Sequence, residues 1–301
     1  MRSAPAPGLG WLVLAGLTWG TSGTIGTFLR AETGLAFLAV AGYRIFVGGL
    51  LVLAFVCATR SARWPRTRAG WRRVAAIAAA SALFQFGFFS ALEFVGVAVA
   101  TLVVIGATPL VVIAVEAATG HLRPTARLGL TLALALAGLA LLAGAPAPTG
   151  ADAGRTLTGL ALALLASASF AAISLLGARP VADYDDATGT AGAFLAGGTA
   201  VLGVAAATGG IAFTPTPAAL AWLLALGLVP SAVAYLAYFR GLRTQSSTTG
   251  ALVSLLEPVT ATVLATVVLG ERLAPSGWVG AGLLVLAVAL TTLAPRDVRG
   301  G

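Results

Sequence analysis

Apolar runs of about 20 residues, the length that crosses the hydrocarbon core of a bilayer as a helix, recur along this chain of 301 residues. Breaks at charge clusters and at Pro- and Gly-rich stretches delimit ten of them, at 9–29, 35–58, 74–94, 97–117, 126–144, 157–177, 188–208, 218–239, 248–269 and 277–294. No connection is long enough to hold a soluble domain. Only 9% of the residues are charged and 58% are hydrophobic, whereas a soluble domain carries about 25% charged residues. So few charges cannot cover a surface in water, and the expected fold class is an all-α polytopic membrane protein. The stretch Met1–Gly23, with Arg2 ahead of Leu9–Leu17, resembles a signal peptide. Its apolar character continues to Leu29, so it is read as the first span.

The net charge of +8 comes from 18 basic residues, all of them Arg. They cluster in a few loops, so nucleic acid is not an expected partner. The connection 59–73 holds Arg60, Arg63, Arg66, Arg68, Arg72 and Arg73. Short Arg-rich loops stay in the cytoplasm. With this loop inside, both termini lie inside, and only Arg30, Arg155 and Arg272 fall outside. The single Cys57 excludes an internal disulfide and any Cys-based metal cluster. No nucleotide-binding motif is present and no cofactor is expected.

Two prolines, Pro109 and Pro258, sit inside apolar runs about 150 residues apart, and broken spans at corresponding positions of two halves point to a transporter binding site. Other landmarks keep nearly the same offset. Trp19-Gly20 matches Ser169-Phe170, Phe88-Phe89 matches Tyr238-Phe239, Gly120-His121 matches Gly270-Glu271, and Pro124 matches Pro275. Five spans per half is an odd number, so the second half enters the membrane from the opposite side. The expected architecture is ten transmembrane helices in two inverted five-helix repeats, at 1–145 and 156–295.

The chain resembles the drug/metabolite transporter superfamily, in particular its EamA-like branch. The matching words are Leu17-Thr18-Trp19-Gly20, Tyr43-Arg44-Ile45-Phe46, Ala91-Leu92, Thr108-Pro109-Leu110, Leu256-Glu257-Pro258-Val259 and Leu269-Gly270-Glu271-Arg272-Leu273. The last two, in this order and at this spacing, are the most specific. The resemblance implies a ten-helix transporter of small metabolites, amino acids and related compounds, with many members working outward. The family's usual Gly-Glu after its fourth span reads Gly120-His121 here.

Charged residues inside apolar runs are costly and mark function or a buried pair. Arg44 lies about 14 Å into span 2, near the bilayer centre. Its planar guanidinium suits a substrate carboxylate. The competing reading is a structural ion pair with Glu257 or Glu116. Glu257 lies about 13 Å into span 9, directly before Pro258, which should free the carbonyl of Ser254 from its helical bond. A midplane carboxylate there can take a proton, a cation or a substrate amine. Trp19, Gln85, Tyr235 and Tyr238 are the expected polar and aromatic wall of a substrate cavity, with helix packing as the alternative. Glu116 and Glu93, near span ends, fit solvation or helix-end contacts better than chemistry. Glu271 fits a capping or loop-fixing role.

The expected function is secondary transport of small organic metabolites, most of all export of amino acids or related compounds. The partners would be a small-molecule substrate, the lipid bilayer of the cell membrane and protons, and a homodimer is compatible with this. A sugar-phosphate or nucleotide-sugar exchanger of the same superfamily is the alternative. An intramembrane enzyme lacks the residues it would need, because the one histidine, His121, falls in a loop.

Overall fold

A computed structural model describes residues 7–144, 153–270 and 272–292, so Glu271 lies outside the described residues. Among them the regular structure is helical throughout: α1 Pro7–Thr33, α2 Phe37–Ala58, α3 Arg68–Ala118, α4 Ala126–Ala143, α5 Ala153–Ala178, α6 Asp186–Thr208, α7 Pro217–Leu242, α8 Ser247–Val268 and α9 Pro275–Thr292. All nine are long and apolar enough to cross a membrane.

The expected ten separate spans become nine helices because the third and fourth are joined. A straight helix of the 51 residues in α3 would run about 76 Å, over twice the thickness of a bilayer core. It breaks at Gly96, whose φ of 76° and ψ of 167° are accessible only to glycine. The break divides α3 into a first arm, 68–95, and a second arm, 97–118, with no connecting loop. A Cβ at Gly96 would meet nothing within 4 Å, so the constraint is purely conformational. Gly96→Ala should therefore lower stability by about 1–3 kcal/mol. Gly10→Ala, also in open space but in helical backbone, should not; detergent-phase unfolding of both variants checks this.

The first arm starts earlier than the apolar run. Thr67 accepts a hydrogen bond from Gly70 N–H at 3.1 Å, which caps the helix and pulls Arg68, Arg72 and Arg73 into its first turns. Thr125, Asp185, Thr216 and Ser246 cap α4, α6, α7 and α8 in the same way.

Close packing uses small residues, as expected where lipid offers no hydrophobic driving force between helices. Gly16 and Gly20 of α1 meet Leu256, Glu257 and Thr260 of α8. Gly42 and Gly49 of α2 meet Leu202 and Phe194 of α6, and Gly138 of α4 meets Gly280 of α9. Helix α5 packs on both arms of α3, through Gly87 against Leu162 and through Thr108 against Ser167. Helix α1 packs correspondingly on α7 and α8. Exchanging α1, α2, the two arms and α4 with α5, α6, α7, α8 and α9 leaves this set of partners unchanged.

The two marked prolines are not equivalent breaks. Backbone dihedrals stay helical through Pro109, and the Thr108 hydroxyl donates to Val104 O at 2.7 Å. Pro109 therefore removes one backbone donor without interrupting the helical path, and the break in this half is at Gly96. In α8 the helix is interrupted at 254–255, just ahead of Pro258. The carbonyl of Ser254 is not free, because Glu257 N–H bonds to it at 2.9 Å in a tighter turn. An irregularity that the apolar pattern did not mark lies in α7, where Leu228–Val233 forms a π-turn. Pro230 cannot donate to Leu226 O, and the Ser231 hydroxyl supplies that bond instead at 3.1 Å.

The bundle has an Arg-rich end and an Arg-poor end. At the Arg-rich end, Arg73 is buried and donates to the carbonyls of Gly177 (3.2 Å) and Arg179, with its guanidinium 4.5 Å over the Tyr184 ring. Burial pushes the Tyr184 phenol up to about 12, so it stays neutral there. Asp186 pairs with Arg243 at 2.7 Å and with Arg73 at 3.9 Å.

Candidate functional site

A cavity of about 440 Å³ lies between α1, α2, α3, α5, α7 and α8. Its lining runs from Trp19, Arg44, Tyr235 and Glu257 in the middle of the bundle to Arg30, Phe37, Val97 and Leu269 at the Arg-poor end. Below Trp19 the interior is filled by aromatic rings. Trp19 sits 5.4 Å from Phe170, 5.2 Å from Tyr235 and 4.9 Å from Tyr238 between ring centroids. The pairs with Phe170 and Tyr235 are edge-to-face, an arrangement that contributes about 0.5–1.5 kcal/mol each beyond burial. They form a floor between the cavity and the Arg-rich end.

Arg44 is held at the wall by hydroxyls. Its Nη1 donates to Ser22 Oγ at 2.9 Å and its Nε to Ser231 Oγ at 3.4 Å. Ser231 reaches it because the π-turn at Pro230 displaces that stretch of α7, so a backbone defect positions the contact. Such single π-turns recur at functional sites. Among the described residues, no carboxylate lies within ion-pair distance of Arg44. Glu116 is engaged elsewhere, by the hydroxyls of Ser247 and Thr248. Neither ion pair considered for Arg44 is formed, and Arg44 and Glu257 both remain cavity-lining groups.

Of the other expected wall residues, Trp19 and Tyr235 line the cavity, as does the expected helix-break residue Pro258. The indole N–H of Trp19 is buried and has no protein acceptor. Tyr238 does not line the cavity. It lies behind Trp19 and bonds to Ser174 Oγ at 2.7 Å, so it supports the floor. Gln85 is also outside the lining, fully buried, with neither end of its amide hydrogen-bonded. Buried polar groups without partners are rare and costly, and the structure offers no physical account of this one. Pro109 is buried within α3 and takes no part.

The apolar wall comes mainly from residues that sequence reasoning passed over. Phe84, Phe88, Phe89 and Phe170 line the cavity, as does Phe37, over which Arg30 lies 3.6 Å from the ring centroid. Phe84 and Phe88 are one helical turn apart on the first arm and stack at 6.0 Å, a spacing visible in the sequence. Nothing in an apolar run distinguishes a phenylalanine facing a cavity from one facing lipid. Ser22, one of several hydroxyl residues in the first span, is the one that holds Arg44.

Comparison with known proteins gives a consistent picture. The EamA-like transporter family profile matches two stretches, residues 6–144 and 157–293. An uncharacterized transporter of Bacillus subtilis (strain 168), YwfM, is 29% identical over 290 residues, spanning 96% of this chain and 95% of that protein. A solved structure described as the crystal structure of a protein superposes with a TM-score of 0.82 over 99% of this chain and 100% of that one. At 21% identity, that likeness is one of fold.

Proposed function

Because this chain belongs to the EamA-like transporter family, we propose that it is a secondary active transporter that moves amino acids or related small metabolites out of the cell. The observation that carries this reading is the disposition of Arg44 and Glu257. A guanidinium and a carboxyl group line one cavity, and Arg44 has no carboxylate partner among the described residues. A solute carrying both a carboxylate and an ammonium group satisfies both. The guanidinium fork takes the carboxylate, the Glu257 carboxylate takes the amine, and the phenylalanine wall covers an apolar remainder. A sugar phosphate would meet Arg44 equally well but offers no amine to Glu257, so the amino-acid class is favoured over the exchanger alternative.

The Arg bias favours an orientation with the Arg-rich end and both termini in the cytoplasm. The exchange symmetry of helix partners supports two inverted repeats. Outward transport rests on the resemblance to exporting members, and Glu257 is the candidate site for proton coupling. The chemistry is binding and release, with no bond made or broken in the solute.

A thermal-shift screen of purified protein against amino acids, sugar phosphates and nucleosides tests the substrate class. A solute at a hundredfold excess over its Kd stabilises the folded state by about 2.7 kcal/mol. Amino acids should raise the melting temperature and their decarboxylated amines should not. A shift by sugar phosphates alone would overturn the reading.

A further inference from the structure

We infer that Glu116 is the latch that closes the Arg-rich end of the transport path, by holding the second arm of α3 against the start of α8. This rests on the transporter reading of the central cavity. Glu116 occupies the last turn of α3, and its two carboxylate oxygens accept separately, Oε1 from the Ser247 hydroxyl and Oε2 from the Thr248 hydroxyl. Both donors are buried. The contact joins the two halves of the chain, and both oxygens are used, so the carboxylate fixes the direction of α8 as well as its distance.

The rest of the second arm and α8 shows why this contact matters. The packing between them lies chiefly along Ser247–Val253, at the Arg-rich end. Toward the Arg-poor end they diverge. A second cavity of about 390 Å³ lies there, and it shares Val97, Thr101, Pro258, Ala261 and Ala265 with the central one. The two helices thus form a V, closed at Glu116 and open at Val97.

The exchange of halves places Thr266 opposite Glu116 in the repeat, and Val97 and Ala98 opposite Ser247 and Thr248. Val97 and Ala98 have no side-chain donor, and Thr266 bonds within its own helix, to Thr262 O at 2.9 Å. The polar latch therefore exists at one end only. Arg73, by contrast, ties the first arm to the end of α5 and the start of α6, on the same side of the bundle. Solute access from the Arg-rich end requires the Glu116 contact to separate.

The test needs no solute. With the native cysteine removed (Cys57→Ser), a single cysteine is placed on the cavity wall by Ser254→Cys. It is labelled with a membrane-impermeant maleimide applied to either face of sealed vesicles. In the parent, labelling should come from the Arg-poor face. Glu116→Ala should raise labelling from the Arg-rich face about tenfold, the scale on which losing a pair of charge-assisted hydrogen bonds shifts an equilibrium. Ser247→Ala with Thr248→Val removes the donors instead and should give the same change, and the triple variant should add nothing further. If one variant fails to fold, the other decides. Unchanged labelling from the Arg-rich face in a folded variant overturns the latch. A parent protein that is labelled as expected but moves no solute overturns the transporter reading and leaves the latch result standing.

Discussion

Replacing Arg44 with alanine should remove binding of carboxylate-bearing solutes while leaving the protein folded and inserted. Two lines of reasoning separate these effects. An arginine at the centre of a span costs about 2.5–3.5 kcal/mol on insertion scales, so its removal eases insertion. Its hydrogen-bond partners are the neutral hydroxyls of Ser22 and Ser231, so no ion pair is broken. The Ser231 hydroxyl keeps its bond to Leu226 O in either case. For a bound carboxylate, losing a desolvated charged partner costs about 2–5 kcal/mol, or at least about 30-fold in Kd. Arg44→Lys should recover only part of this, because an ammonium is a point charge without the fork geometry. Ligand-induced thermal shift alongside gel-filtration behaviour reads the two effects separately. Unfolding in parallel with lost binding would assign Arg44 a structural role instead.

Glu257→Gln should abolish the response of transport to pH and weaken amine-bearing solutes by an order of magnitude or more, about the effect of unpairing a buried charge. The substitution keeps the shape of the side chain. Its backbone N–H would still bond to Ser254 O and hold the break at 254–255, so any change in transport reports charge and proton exchange. The measurement is initial-rate uptake into proteoliposomes across a pH series with an imposed proton gradient. A Gln variant that keeps full, pH-sensitive transport ends the coupling role of Glu257. Acting together, Arg44→Ala and Glu257→Gln should be non-additive for a zwitterionic solute, because either loss already misplaces the other contact.

The positions of the spans were legible in the sequence because twenty apolar residues in a row have one use. The corner at Gly96 was not. Glycine is common in this chain, and only the backbone dihedral separates a turn glycine from a packing one such as Gly87. Arg44 and Glu257 could be read as site residues because a charge in hydrocarbon demands an explanation. Their not being paired could not be, since pairing depends on which helices are neighbours. Prolines misled for a related reason. Pro109, Pro230 and Pro258 all lack an N–H, but the local geometry depends on which residue rescues the orphaned carbonyl. Ser231 does so at a π-turn, Glu257 N–H does so in a tightened turn, and the helix at Pro109 continues unbroken. Tyr238 and Tyr235 share a helix face, so spacing alone could not place one at the cavity and the other behind Trp19.

The corner at Gly96 also sets the mechanics of the bundle. Most neighbouring spans are joined by polypeptide that can let out or take up length, but the two arms of α3 meet at a single residue with no slack. They cannot slide past each other; they can only pivot. Glu116 sits 20 residues along the second arm, about 30 Å from that fulcrum, so a swing of about 10° carries its carboxylate about 5 Å. That is well beyond hydrogen-bond reach. A small rotation in one glycine's dihedrals is thus geared up, by the length of a lever that spans the membrane, into the difference between a joined and a parted far end.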